Sequence, residues 1–230
     1  SGSNVSWAGE VSAATDGAGD FSEVNLELKR LTAYVDVSKQ FLIQDSASAE
    51  EMLKRDIVNA ISDKLEATIL GSAAGSATMP AGIFNGVTPE TNDITYKRLV
   101  DMETALEEAN VAGNKCFIVS PSAKGILKTT AKDALYNVTD GGVHTCVGCA
   151  GCLMEENEVN GYPVYCTSNV TSKGVVMGHF EDFVIGQWGG IDLTVDPYTQ
   201  AANGKVRLVI NAYFDAKPRR TGSFQKAILK

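Results

Sequence analysis

A predicted β-strand, a long amphipathic helix and a glycine-rich return follow one another between Leu26 and Asn85, and this order constrains the fold more than any other feature. The strand, Leu26–Val37, alternates apolar and polar side chains, as a half-buried strand does. At full extension it would measure about 40 Å. Val5 and Trp7 begin a second short strand pattern, so the two predict a hairpin arm. Because a lone hairpin is marginal in water, we expect the arm to lie on another surface, in a structural subunit that its neighbours complete.

The helix predicted over Ala49–Leu70 has signals at both ends. Ser48 is a good N-cap, and Glu51 three residues later completes a capping box. Gly71 is a typical helix stop, and Pro80 then resets the direction of the chain. Apolar residues at steps of four form one stripe, which consists of Leu53, Ile57, Ile61, Leu65 and Ile69. The stripe indicates that one face of the helix packs on a neighbouring layer.

The rest of the chain mixes few helices with many strands. The further helices are predicted at Tyr96–Ala109, with Leu99, Met102 and Leu106 inward and Gly113 as its stop, and from Pro121 to about Thr129. The further strands are predicted at Cys116–Val119, Val164–Thr167, Val175–Gly178, Phe183–Gln187, Ile191–Val195 and Val206–Phe214. Asn160-Gly161 and Asn203-Gly204 are hairpin turn signals. This is an α+β pattern.

Composition narrows the class of protein. The 230 residues are enough for one large domain or two small ones, and 44% of them are hydrophobic. No apolar run is long enough to cross a bilayer, so no membrane partner is predicted. The net charge of −8 argues against a protein that reads nucleic-acid sequence directly. An odd number of cysteines, five, without a visible secretion signal indicates reduced thiols in a cytosol-like compartment.

Several segments in a fixed order carry a resemblance to a known family. They are Leu31–Leu42, Ala49–Gly71, Pro80–Ile83, the strand and Ser-Pro helix start at Phe117–Pro121, the turn at Asn160–Val164, the pair Gly178–Phe180 and Phe183–Gly186, and the closing segments Val206–Phe214 and Gly222–Leu229. Together they resemble the major capsid proteins of tailed bacteriophages, which have the Hong Kong 97 fold. His179 stands where that family's pattern has an aspartate. The resemblance covers almost the whole chain from about Val5.

The resemblance implies an α+β capsid fold in three parts. Residues 3–33 would be the E-loop arm, a hairpin. Residues 34–87 and 192–216 would form the P-domain, with Ala49–Leu70 as its spine helix. Residues 88–191 and 217–230 would form the axial A-domain.

The implied function is that of a structural subunit of a phage or prophage capsid. It would self-assemble into pentamers and hexamers around genome DNA, which it encloses without reading the sequence. Scaffold, portal and decoration proteins are the further partners that the resemblance implies. The protein would be found in the virion and would assemble in the bacterial host cytoplasm. No catalytic residue and no cofactor are predicted.

Two departures from the family pattern carry expectations of their own. Nothing precedes the arm, although the family usually has an N-terminal segment there, so we expect a truncated or processed chain. Some members cross-link covalently through a lysine of the E-loop. Residues 3–28 contain no lysine, and Lys29 and Lys39 lie in or beyond the strand, so no cross-link of that type is expected.

The sharpest chemical motif is a run of thiols near the middle of the chain. Cys146, Cys149 and Cys152 have a C-x₂-C-x₂-C spacing, with His144 before them and Cys166 after them. Thiolates at such spacing bind iron–sulfur clusters or zinc. The fourth cysteine with its proline, and the paired spacing of zinc folds, are absent. We therefore favour free thiols, or a disulfide formed after lysis, over a metal site.

Other motifs have simpler interpretations. His144, Cys146 and His179 would have to meet in space to form a nucleophile–base pair, which spacing alone does not indicate. The basic cluster of Lys217, Arg219 and Arg220 is interpreted first as a solvated strand end and second as an ion-pair partner for a neighbouring subunit. Two alternative functions stay open beside the capsid: an encapsulin-type nanocompartment shell, and a metal- or thiol-dependent redox protein that uses the loop from Cys146 to Cys152.

Metal analysis separates the redox alternative from the others. For protein purified under reducing conditions, we expect no stoichiometric zinc or iron and no visible absorption band, because the ligand run lacks its usual fourth member. One zinc or one iron–sulfur cluster per chain would contradict this and would favour the redox protein.

Overall fold

The computed structural model describes residues 23–40, 46–132 and 151–230. Its helices are α1 (Ser46–Ile69), α2 (Tyr96–Glu108) and α3 (Pro121–Thr129). Its strands are β1 (Lys29–Ser38), β2 (Cys116–Val119), β3 (Glu158–Val159), β4 (Tyr162–Cys166), β5 (Gly174–Gly178), β6 (Phe183–Gln187), β7 (Asp192–Asp196), β8 (Lys205–Pro218) and β9 (Phe224–Ile228). None of the helices in these ranges is long and apolar enough to span a bilayer.

A four-stranded antiparallel sheet is built around the long strand β8. Strand β1 pairs along one side of β8, from Lys29 opposite Phe214 to Ser38 opposite Lys205. On the other side, β7 and β6 pair end to end with the two halves of β8. We expected the strand Leu26–Val37 to belong to a hairpin arm that lies on another surface, and its part within β1 lies instead along β8 of the same chain. The partner comes some 170 residues later, as the hydrogen bond from Thr32 Oγ1 to the Ile210 carbonyl shows (|i−j| = 178), and local patterns do not reveal such pairing.

Helix α1 packs on this sheet through its predicted stripe. Ile57, Ile61 and Ile69 are buried, and the first two share a hydrophobic cluster with Ile210 of β8. The helix begins at Ser46, so Ser48 lies inside its first turn and the predicted capping box with Glu51 is wrong. The alanines on either side of Ser48 favour helical backbone. The helix therefore extends back beyond Ser48.

The glycine-rich return folds back onto the end of α1. The N–H of Ile83 donates to the carbonyl of Ile69 at 2.7 Å, and that of Phe84 donates to the carbonyl of Gly71 at 3.0 Å. The first bond satisfies a carbonyl that the helix end leaves without an intrahelical partner, and the second holds the residue just beyond the helix. A Cβ on Gly82 would lie 2.1 Å from the Gly71 carbonyl oxygen. The return therefore requires glycine at position 82 so that the two backbone segments can approach.

A second sheet has the strand order β3-β4-β2-β5-β9, in which β2 and β4 are parallel and the other pairs antiparallel. Helix α2 covers it with Leu99, Met102 and Leu106, which are fully buried as predicted. Ser120 caps α3 by accepting a hydrogen bond from the N–H of Ala123. The two sheets with their helices confirm the predicted α+β class.

The turns follow their sequence signals at one site and depart from them at two. Asn160 and Gly161 have φ of 52° and 78° and connect β3 to β4, which confirms the predicted hairpin. Asn203-Gly204 is not a two-residue turn, because eight residues separate β7 from β8. Helix α2 ends before Gly113: Asn110, at φ 50°, takes the left-handed position, and the N–H of Val111 donates to the carbonyl of Leu106.

Two glycine-to-alanine changes test the return. We expect Gly82→Ala to lower the free energy of unfolding by about 2–3 kcal/mol, because the new Cβ meets a backbone oxygen that cannot move alone. Gly125→Ala is the matched control: its Cβ meets nothing within 4 Å inside α3, and alanine should stabilise the helix by about 0.5–1 kcal/mol. Thermal or urea unfolding measures both, and equal effects would contradict the tight approach.

Candidate assembly surfaces

Exposed large apolar side chains are concentrated on one layer of the protein. Among the described residues they are Val24, Leu28, Tyr34, Val35, Met52, Val58, Tyr96, Tyr165, Val184, Ile185, Ile191, Leu193, Val195 and Tyr198. All but Tyr96 and Tyr165 lie on the segment before β1, on α1, or on the strands and loops of the four-stranded sheet. Because exposed apolar side chains collect on this layer, the layer formed by α1 and the first sheet is the candidate assembly surface.

One face of the first sheet carries a polar cluster around Arg207. Its Nε and Nη2 donate to the two carboxylate oxygens of Asp36 at 2.7 and 2.8 Å, and its guanidinium lies 4.3 Å from the centre of the Tyr34 ring. The hydrogen bond from Arg207, with its positive charge, lowers the pKa of Asp36. Register places Asp36, Arg207 and Asp196 in one row across three strands. The row holds Tyr34, which is 63% exposed, in a fixed orientation.

A second ordered feature stands at the end of this row, in the loop that leaves β7. Tyr198 is 85% exposed, yet its backbone is fixed because Asp196 Oδ1 accepts hydrogen bonds from the N–H groups of Tyr198 and Thr199. The Thr199 hydroxyl donates to the other carboxylate oxygen. That hydroxyl and the two N–H groups lower the pKa of Asp196. A rigid loop thus presents an aromatic ring to solvent, the type of residue that is enriched at protein interfaces.

An apolar groove of about 630 Å³ runs between α1 and β1. Leu31, Ala33 and Val35 line it from the strand, and Leu53 and Ile57 line it from the helix. In the described part of the chain β1 pairs only with β8. Among the residues that the structure describes, the groove therefore borders a strand edge whose backbone groups pair with no other strand and could take one.

The segment that precedes β1 is fixed by a buried ion pair. Lys29 Nζ lies 3.2 Å from Asp215 Oδ1, and the two side chains are 7% and 0% exposed. Asp215 Oδ2 accepts a hydrogen bond of 2.8 Å from the N–H of Glu27, whereas Oδ1 accepts none of good geometry within the described residues. Lys217 Nζ donates to the Asn25 carbonyl at 2.5 Å.

The pKa of Asp215 is lowered in spite of this burial. Burial works to raise it, but the N–H groups of Glu27 and Ala216 and the ammonium of Lys29 outweigh that effect. A lowered pKa means that the ion pair contributes to stability at pH values above the ordinary carboxyl pKa. The contribution is lost only as the pH falls through the lowered value. The carboxylate is thus charged at neutral pH.

The predicted basic cluster does not act as one unit. Lys217 is used within the chain, at Asn25. Arg220 Nη2 donates to the Ala109 carbonyl at 3.3 Å, and Arg219 is exposed at the end of β8. Of the two interpretations, the solvated strand end fits Arg219 fully. It fits Arg220 only in part, because Arg220 is exposed but also bonds within the chain.

Of the metal candidates, His144, Cys146 and Cys149 lie outside the described residues. Cys152 sits in an isolated bridge with Ala131, and Cys166 lies in β4 and is exposed. No group of three or more metal-binding side chains occurs within residues 23–40, 46–132 and 151–230. The metal hypothesis for the cysteine loop therefore stays a prediction.

His179 has a structural contact that the sequence did not indicate. Its Nδ1 lies 2.8 Å from the Asn114 carbonyl oxygen, and a Cβ on Gly113 would lie 2.5 Å from its ring. Gly113 adopts φ 99°, a conformation that favours glycine. The histidine thus packs on the turn between α2 and β2.

Known proteins share both the sequence pattern and the architecture of this chain. The sequence matches the phage capsid family over residues 1–227. The chain belongs to the phage capsid family. It is 26% identical over 229 residues to the major capsid protein of Halomonas phage phiHAP-1, a match that covers 97% of this chain and 36% of that protein. The chain thus spans about a third of the length of the curated relative that it matches.

Solved structures share the fold. The capsid of an empty GTA particle has a TM-score of 0.70 at 16% identity, and the match covers 100% of this chain and 81% of that one. A structure of Gordonia phage Cozz has a TM-score of 0.66 at 17% identity, with 99% of this chain and 78% of that one covered. The holo-SrpI encapsulin complex of Synechococcus elongatus PCC 7942 has a TM-score of 0.58 at 13% identity, with 87% and 73% covered. The predicted Hong Kong 97-like fold is therefore confirmed.

Sequence patterns missed most of the residues that shape these surfaces. Asp215 had one usable signal in the sequence. It directly follows the predicted strand Val206–Phe214, where a buried carboxylate would need a partner. Asp36 and Arg207 had none, since they are 171 residues apart. Tyr198 follows Pro197 in a predicted loop, and its exposure depends on the packing of the sheet.

Adjacent positions on α1 test how this surface is held together. We expect Ile57→Ala to reduce the free energy of unfolding by about 2–4 kcal/mol, because Ile57 is buried against the sheet. Val58→Ala should change it by less than about 0.5 kcal/mol, because Val58 is 46% exposed on the same helix. Denaturant unfolding compares the two variants, and a Val58 effect as large as that of Ile57 would show that α1 packs with another face.

Proposed function

We propose that this chain is a structural subunit of a phage or prophage capsid, without enzymatic activity, that self-assembles into pentamers and hexamers and encloses genome DNA. The observation that carries the proposal is the family match over residues 1–227, on a chain with the fold of capsid subunits. The protein would then be part of the virion and would assemble in the host cytoplasm. Scaffold, portal and decoration proteins are further partners in this proposal.

The distribution of exposed side chains supports assembly through the first layer. Aromatic and aliphatic residues are exposed there on a rigid frame: Tyr34 over Arg207, Tyr198 on its capped loop, and Leu193 and Val195 on β7. Heterologous contacts between identical copies close into rings when the rotation allows it. The net charge of −8 suits a shell wall that does not adhere to DNA.

We further propose the three-part division of residues 3–33, of 34–87 with 192–216, and of 88–191 with 217–230 as arm, P-domain and A-domain. In support, every strand of the second sheet comes from the third set, and β1, β7 and most of β8 lie in the first two. Strand β6 belongs to the third set by position but pairs with β8. It would therefore join the two domains.

The encapsulin-type shell is the second candidate, favoured by the fold likeness to the holo-SrpI complex. Both candidates form closed shells, so the content of the shell separates them. Nuclease-protected DNA inside shells from infected or induced cells supports the capsid. A stoichiometric enzyme cargo without DNA supports the nanocompartment.

The assembly test uses the full-length gene product. We expect rings or closed shells by negative-stain microscopy, and on denaturing gels only the single-chain band, because residues 3–28 contain no lysine. Tyr198→Ser should reduce the yield of shells about tenfold without changing thermal stability, because the ring is 85% exposed in the subunit. Tyr198→Phe, which keeps the ring, is the control and should assemble normally.

Two outcomes speak against the proposal. A stable monomer under all conditions would contradict the capsid function. A covalent ladder on the gel would contradict the absence of cross-linking.

A further inference from the structure

We propose that Asp215 is a positioning residue whose buried carboxylate, together with Lys29 and Lys217, clamps residues 25–29 across β8 and sets the direction in which the chain leaves the first sheet. The clamp is a property of the single subunit. Its role in directing an assembly arm rests on the proposed function.

The first observation is the spacing of the contacts. Every second residue of the segment contacts the end of β8: the carbonyl of Asn25 accepts from Lys217, the N–H of Glu27 donates to Asp215, and Lys29 pairs with Asp215. Period two is the geometry of a strand. The backbone ladder between β1 and β8, however, ends at the pair Lys29–Phe214.

Beyond the pair Lys29–Phe214, contacts with side chains of β8 therefore take the place of the backbone hydrogen bonds between the strands. Glu27 donates its N–H to a carboxylate at 2.8 Å instead of to a backbone carbonyl of β8. A hydrogen bond to a charged acceptor is stronger than one to a neutral acceptor. The segment is held in a strand-like path by two ionic side chains, and these can fix a direction that differs from that of β1.

A second and independent observation lies on the neighbouring strand. Gly186 of β6 is paired with Asp215, and a Cβ placed on it would lie 2.8 Å from Leu26 Cδ1 and 3.3 Å from the Trp188 ring. The glycine leaves the space that the Leu26 side chain fills. The segment is thus held by an apolar contact at residue 26 and by polar contacts at residues 25, 27 and 29.

The charge balance shows why Asp215 is the key member. Lys29 is 7% exposed, and its ammonium lies 3.2 Å from the carboxylate. Lys217, whose side chain is 39% exposed, lies 3.9 Å from it. Within the described residues these are the two charged groups at the carboxylate, so its removal leaves Lys29 buried without a counter-charge.

The test measures the opening of residues 23–30 in the full 230-residue chain before assembly. The variants are Asp215→Asn, which removes the charge, and the double variant Lys29→Met with Asp215→Leu, which removes the pair and leaves no buried charge. Asp36→Asn is the matched control, because it breaks the other ion pair between β1 and β8 at the far end of the strand. The readouts are hydrogen exchange of peptides that cover Glu27 and cleavage after Glu27 by a glutamate-specific protease.

We expect both Asp215 variants to speed exchange and cleavage at Glu27 about tenfold or more, since the N–H loses its charged acceptor. The Asp36→Asn variant should stay within about twofold of the wild type. The double variant should keep a melting temperature near that of the wild type, because an apolar pair can replace a buried ion pair. A merely structural role would lower the melting temperature and leave the opening at Glu27 no greater than the opening within β1.

Unchanged opening at Glu27 in the folded double variant would overturn the clamp, and so would equal opening in Asp36→Asn. Shell formation is scored separately, with the same substitutions in the full-length gene product of the assembly test. Shells from the wild type and not from the double variant support the arm-directing role, and equal yields from both overturn it. If the wild type forms no shells, the proposed function fails, while the exchange result still decides the clamp.

Discussion

Hydrogen bonding along both edges of β8 is the interaction on which the rest of the structure depends. One edge takes the whole of β1, and the other takes β7 and then β6. The strand also supplies Ile210 and Ala212 to the cluster beneath α1, and Ala216 to the cluster that reaches the second sheet. Among the described strands, removing β8 would take away the only partner of β1, β6 and β7, and it would remove much of the surface on which α1 packs. These strands therefore depend on β8 for their backbone hydrogen bonds within the described residues.

The end of α1 is where the two layers of the protein meet. Ile69 and the return residues Ile83 and Phe84 share one hydrophobic cluster with Val176 and Phe224 of the second sheet. The return reaches this place because the N–H of Ile83 donates to the carbonyl of Ile69, the last residue of the helix, which the helix itself leaves without a partner. The helix end, the glycine at position 82 and the junction between the layers are therefore one structural unit.

Local patterns predicted the elements well and the contacts poorly. The helices near Tyr96 and Pro121, the strands at Cys116–Val119 and Phe183–Gln187 and the Asn160-Gly161 turn lie where the sequence places them, because cap, period and turn signals act over a few residues. The predicted start of α1 was wrong by three residues, since alanines near the start let the helix extend. Of the candidate assembly surfaces, only the apolar stripe that lines the groove was visible beforehand.

The amino-acid sequence by itself determined the order and type of most elements, the amphipathic face of α1, the glycine-rich return after it and the family to which the chain belongs. The tertiary structure alone decided that β1 has its partner in β8, that Lys29 is buried against Asp215, and that Tyr198 stands exposed on a rigid loop. The physical reason is range. Propensities and caps act within a few residues, whereas these contacts join groups that are far apart in the chain and close only when the sheet forms.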